Sequence, residues 1–226
     1  MDRIVYLDNN ATTQMAQEVI SIMAENAGLY GNASSMHTLG RSSASAIQWA
    51  REEVAALIDS DPGEIYFVSG ASEANNTVFN VFRDRIDAGD KRNRILLSSV
   101  EHPASIETMK YLVSKGYKVE TVPVDGVGEL KLDELEKMMG EDVCLVSIMT
   151  GNNESGVIQP VKKAAEIAHK YGAYFHTDAT QAIGKIPVSV KDIGADYLSM
   201  SAHKFYGPKG IGVLYAKKGV PLSPFV

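Results

Sequence analysis

The chain has 226 residues, 45% of them hydrophobic and 22% charged, with a formal net charge of −6. That balance suits one large core or a main domain with a small appendage, and the acidity excludes the basic surface that nucleic acids require. The opening "MDRIVYLDNN" carries acidic residues and no long apolar run, so neither a signal peptide nor a membrane span is expected, and the expected location is the cytoplasm.

In chain order, "MAQEVISIMAENAGLYGN" and "ASAIQWAREEVAALID" predict two amphipathic helices joined by the polar link "ASSMHTLGRSS". Short apolar runs then alternate with amphipathic ones. "EIYFVS" reads as a strand and "SEANNTVFNVFRDRIDAG" as a helix closed by Gly89. "RILLSSV" is a strand and "ASIETMKYLVSKG" a helix closed by Gly116. "YKVETVPV", "VCLVSIMT", "AYFHTDA", "DYLSMSA" and "GIGVLYA" continue as strands, with "KLDELEKMMG" and "VKKAAEIAHKYG" as helices among them. This alternation predicts an α/β fold, a mostly parallel sheet with helices on both faces. Because "KKGVPLSPFV" follows a strand without a closing element, a further C-terminal portion is expected. The single cysteine, Cys144, lies in the apolar "DVCLVSIM". It forms no disulfide framework, a reducing compartment is expected, and a walled-in thiol is a poor nucleophile.

Ligands of open α/β sheets collect at the carboxyl ends of the strands, and the polar clusters fall there. In "FVSGASEANN" a strand ends at Ser69, Gly70 turns, and Ala71 and Ser72 open a helix. Its first N–H groups and the Ser72 hydroxyl would form a phosphate site; equally, Ser72 could be a plain helix cap with Asn75 exposed. No G-x-x-x-x-G-K-[ST] occurs, and "GPKGIG" precedes a strand instead of opening a helix, so neither nucleotide-binding loop is present. "SSVEHPAS" sets His102 past a strand end, where imidazole can stack on a flat ring, carry protons or simply bond backbone. "MTGNNESGVIQP" does the same for Asn153, a donor to a phenolic oxygen or an ordinary turn residue. Asp178 in "HTDATQ" could hold a proton on a heteroaromatic nitrogen. His176 and Asp178 could instead bind a metal, but further ligands are lacking and no metal is expected. Lys204 stands behind a histidine between an apolar run and a turn with three glycines in "DYLSMSAHKFYGPKGIGVLY", a setting a solvated lysine does not need. Together these are the groups that pyridoxal phosphate requires.

"YLDNNATT", "YGNASSMH", "SGASEANN", "EHPA", "NNESGVIQP", "HTDATQAIGK" and "SAHKFYGPKGIGVLY" resemble, in order and over the whole chain, the cysteine desulfurases of the NifS/IscS type. The "EHPA" and "NNE" words resemble this branch more than the sulfur-mobilisation branch or the selenocysteine lyases. The resemblance implies a fold-type-I pyridoxal phosphate enzyme, a homodimer in which residues 1–15 belong to a small domain and 16–226 form a large cofactor domain, incomplete at its C-terminal end. It makes Lys204 the Schiff-base lysine, Asp178 the partner of the pyridine nitrogen, and Gln181 a donor to the phenolic oxygen beside Asn153. His102 would stack on the ring and move protons, while Ala71, Ser72, Ser201 and His203 would hold the phosphate, with Ala202 contributing backbone. The implied reaction takes sulfur from L-cysteine, leaving alanine, and passes it through an enzyme persulfide to an iron–sulfur scaffold protein. Two departures stand out: Ala33 replaces a proline of the family's motif, and the family's nucleophilic cysteine and carboxylate-gripping arginines fall beyond Val226. A complementary C-terminal fragment is one expectation. The alternatives are another aminotransferase or lyase of the same fold, or a non-catalytic fragment that binds cofactor or dimerises.

Overall fold

The computed structural model describes residues 5–224. Seven strands make one sheet: β1 (Ile65–Val68), β2 (Arg94–Ser98), β3 (Lys118–Val122), β4 (Val143–Ser147), β5 (Tyr174–Asp178), β6 (Tyr197–Ser201) and β7 (Gly212–Ala216). Their order is β1-β7-β6-β5-β4-β2-β3. β7 runs antiparallel to β1 and β6, and the remaining pairs are parallel. Every strand except β7 therefore ends at the same edge of the sheet, which is the expected α/β architecture.

Around the sheet lie α1 (Gln17–Asn26), α2 (Thr38–Ile58), α3 (Ala71–Asp87), α4 (Pro103–Ser114), α5 (Leu132–Met138), α6 (Val161–Lys170) and α7 (Val190–Ile193). Successive strand residues face opposite sides, and the two cores divide accordingly. Ile95 and Leu145 pack with Val78, Phe79 and Phe82 of α3 and Leu112 of α4. Leu96 and Val146 pack on the other face with Ile58 of α2, Leu135 of α5 and Ala164 and Ala168 of α6. β4 and β6 are buried throughout, as strands covered on both faces must be.

α3 and α4 end as expected, with Gly89 and Gly116 at φ 91° and 90°, a left-handed region that favours glycine. α2 starts at Thr38, inside the stretch expected to be a polar link, because His37 Nδ1 accepts from the Gly40 N–H at 3.3 Å and caps the helix. The short α7 carries too few apolar residues to announce itself. Cys144 is buried on β4, and burial pushes its thiol up to about 12. Among the described residues no helix is long and apolar enough to cross a membrane.

Of the expected small-domain segment, residues 1–4 lie outside the described residues. Its remainder crosses the sheet edge. The Thr13 N–H donates to His203 O at 2.8 Å, the Tyr206 N–H to Thr13 Oγ1 at 2.7 Å, and the Ala16 N–H to Tyr206 O at 2.9 Å.

Candidate functional site

A cavity of about 560 Å³ opens at the edge where the parallel strands end. The exits of five strands supply its wall: Ser69–Glu73 after β1, His102 after β2, Met149, Gly151 and Asn153 after β4, Asp178, Thr180 and Gln181 at β5, and Ser201, His203 and Lys204 at β6. Of the residues singled out in the sequence, Ala71, Ser72, His102, Asn153, Asp178, Gln181, Ser201, His203 and Lys204 all line it.

Ala202 does not line the cavity. Its N–H donates to Ile211 O at 3.1 Å, and its carbonyl accepts from the Phe205 and Gly207 N–H groups. The backbone contribution expected of it is thus spent on the tight turn after β6. That turn depends on two close approaches: a Cβ on Gly207 would stand 2.7 Å from Ala202 Cβ, and one on Gly212 would stand 2.6 Å from Gly70 Cα. The second contact presses the start of β7 against the start of α3.

The N-terminus of α3 is capped by Gly70 with no side-chain bond, so Ser72 is not a helix cap. Ser72 lines the cavity together with Gly70, Ala71 and Glu73 of the helix start, where the helix dipole favours an anion. Glu73 stands on the same turn, but the Ser69 N–H donates to its Oε2 at 2.6 Å, and the hydroxyl and N–H of Ser69 hold its carboxyl below the usual range. His203 and Lys209 add basic groups to this wall.

Asp178 ends β5 and is 5% exposed. Asn75 Nδ2 donates to its Oδ2 at 2.8 Å and the Thr180 N–H to its Oδ1 at 3.0 Å. Both donors are neutral, so the carboxylate has no bonded cation. His176, two residues earlier, is fully buried. Its ring nitrogens are taken by Ser147 Oγ at 2.8 Å and Ser199 Oγ at 3.0 Å, and burial pushes it down to about 4. The metal alternative therefore loses its histidine, and the described residues contain no group of three or more metal-type ligands.

Lys204 is half-buried, and its Nζ donates to Asn10 O at 2.6 Å and Ala11 O at 2.8 Å. Burial lowers its proton affinity, against the charges of Asp178 and Asp8. Gln181 Nε2 donates to the same Asn10 carbonyl at 2.9 Å, while Lys185 Nζ donates to Gln181 Oε1 at 2.5 Å. The two bonds fix the orientation of the amide, oxygen to Lys185 and nitrogen to Asn10, and leave the nitrogen a second hydrogen to donate. His102 caps α4, its Nδ1 accepting from the Ala104 N–H at 3.1 Å, so a neutral ring keeps its proton on Nε2.

Several lining residues escaped the sequence reading. Asn75, weighed there as exposed, is fully buried and holds Asp178. It shares the inward face of Val78, Phe79 and Phe82, and that helical spacing could have found it. Ala11 and Thr12 line the cavity from far away in sequence, Asn10 meets Lys204 and Gln181 through its carbonyl, and no local signal marks the three.

The family model for aminotransferase class-V matches residues 5–225. The chain is 48% identical over 228 residues to a cysteine desulfurase of Sinorhizobium fredii, covering 99% of this chain and 58% of that protein. It is 42% identical over 231 residues to a cysteine desulfurase IscS of Methanosarcina thermophila, covering all of this chain and 55% of the relative. Among solved structures, a NifS-like protein superposes with a TM-score of 0.94 at 44% identity, covering 98% of this chain and 61% of the other. A structure described as SspA in complex with cysteine gives 0.92 at 32% identity, covering 98% and 64%. The chain thus spans a little over half the length of the curated relatives it matches. With a family model matched over nearly its whole length and the same fold found in solved relatives, this chain belongs to the class-V aminotransferase family.

Proposed function

We propose that the chain is the cofactor-holding part of a cysteine desulfurase that takes sulfur from L-cysteine and leaves alanine. The observation that carries this is the meeting of Lys204, Asp178, His102 and the N-terminus of α3 around one cavity. Class-V aminotransferases use pyridoxal 5′-phosphate, and the residues present fit that group. The buried Asp178 carboxylate lacks a bonded cation, and the buried Thr180 Oγ1 on the wall has no partner among the described residues.

In this reading Lys204 holds the cofactor covalently, Asp178 binds the pyridine nitrogen, and Ala71, Ser72, Ser201 and His203 hold the phosphate. Gln181 and Asn153 donate to the phenolic oxygen, and His102 covers the ring. When bound, the cofactor draws electrons from a bound amino acid. Burial makes Lys204 give up its proton more readily than a surface lysine, which favours the nucleophilic amine. A neutral His102 ring carries its proton on Nε2, the nitrogen free of the Ala104 N–H. Cys144, buried and pushed up to about 12, is unsuited to accept sulfur, so the accepting cysteine lies outside these 226 residues. The whole protein is a cytoplasmic homodimer that passes sulfur to an iron–sulfur scaffold protein, with residues 1–15 joining a small domain completed by a C-terminal portion or a separate fragment.

The test is intact mass and visible absorbance before and after borohydride, with sulfide release from L-cysteine assayed on the same sample. The expected result is cofactor mass fixed on Lys204 and no sulfide until the C-terminal portion is supplied. A chain that gains no mass overturns the reading.

A further inference from the structure

Glu101 is a buried ionisable group that this function leaves unused. It precedes His102 in the loop between β2 and α4 and is 6% exposed. Its Oε1 accepts from Ser98 Oγ at 2.5 Å and from the Met149 N–H at 2.7 Å. Its Oε2 is buried and has no partner among the described residues. The Met149 bond crosses from the His102 loop to the exit of β4. Asn152 crosses back by donating to Val100 O at 2.9 Å, and its Oδ1 accepts from the Glu154 and Ser155 N–H groups, shaping the turn that carries Asn153. The two loops are therefore fastened at two points, one of them a carboxyl group.

The surroundings choose its protonation state. An ionised Glu101 would bury an anionic oxygen without a donor, which costs far more than an unpartnered hydroxyl. β2 and β4 bring no ionisable side chain to this end; its own loop brings His102, and β5 brings His176, held uncharged by burial, and Asp178. Burial and then the Asp178 charge push Glu101 up to about 8, against the two hydrogen bonds that pull it down.

We propose that Glu101 is a positioning residue that works as a neutral acid, clamping the His102 loop to the Asn153 loop through the Met149 N–H. Above about pH 8 the carboxyl ionises beside Asp178, and the buried charge, rather than the loss of either acceptor bond, destabilises the fold that holds the two loops together. The folded state holds this proton more tightly than the unfolded chain does. The stability it contributes is therefore complete below about 4.5 and is lost as pH rises to about 8.

Two readouts test this on the whole chain. The first is melting temperature, without cofactor, of the parent and Glu101→Gln from about pH 5 to about pH 9. Relative to the variant, the parent should lose several degrees up to about pH 8 and then level off; a flat or rising difference overturns the neutral acid. The second is the dissociation constant for pyridoxal 5′-phosphate at neutral pH, and this arm rests on the proposed function. Glu101→Gln keeps both acceptor bonds and should stay within about twofold of the parent, whereas Glu101→Ala should bind about tenfold more weakly. If the alanine variant does not fold, Glu101→Asp, too short to reach Met149, should show the same loss. Parent-like affinity in whichever of these folds overturns the positioning role. A parent that binds no cofactor overturns the function instead, and the melting comparison then decides the neutral acid, with the melting loss of Glu101→Ala against Glu101→Gln deciding the clamp.

Discussion

At Lys204, burial works against two nearby carboxylates, and burial is the larger influence. In the cofactor-free chain its amine should react with an acylating reagent at a lower pH than that of Lys162, which Asp192 holds protonated at 2.6 Å. Peptide mass spectrometry across a pH series checks this. Because Asp178 raises the Lys204 value, Asp178→Asn should move the reaction to still lower pH while weakening cofactor binding on the order of tenfold. Lys204→Ala should abolish the mass fixed by borohydride, and retention of that mass would assign the attachment elsewhere. Lys185→Met frees the Gln181 amide to turn. It should weaken cofactor binding about threefold, with little added loss in a Gln181→Met background, the coupling expected of residues that act through one another.

Among the elements, α3 contributes a buried face to the core and a free N-terminus to the cavity. That N-terminus is held in place by the contact of Gly70 with Gly212, which leaves no room for a side chain. Gly212→Ala should lower stability by about 1–3 kcal/mol, as overpacking does, and should weaken inorganic phosphate binding by displacing the helix start; denaturant unfolding and phosphate competition measure the two effects. α1 is the opposite case, since it buries no residue. Its amides should exchange with solvent faster than those of α3 or α6, because an element without buried apolar contacts opens at low cost. Hydrogen exchange read by mass spectrometry would show protection in α1 only when something covers it.

On the scale of the molecule, the sheet and its two cores are closed, while α1 and α2 expose Ile20, Met23, Ile47, Trp49 and Leu57. The proposed homodimer would have these side chains to cover, since a contact face is built from exposed apolar residues. Dilution should shift Trp49 emission to longer wavelength if that face is shared between two chains, and light scattering gives the mass in the same series; one mass at every concentration with unchanged emission would remove Trp49 from any such face.

The sequence alone determined the strands, most helices, their α/β order and the polar groups at the strand exits. Each of these is a local matter of period, capping and turn chemistry, as in the Gly89 and Gly116 helix ends. Tertiary structure decided the rest. Glu101 looks like an ordinary surface residue until packing buries it, and although helical spacing marks the inward face of Asn75, only packing aims its amide at Asp178. Asn10 and Ala11 meet Lys204 across more than 190 positions of chain, and Ala202 stands off the cavity wall with its peptide groups bonded in a turn. Burial and long-range contact depend on how the elements stack, which no local pattern encodes.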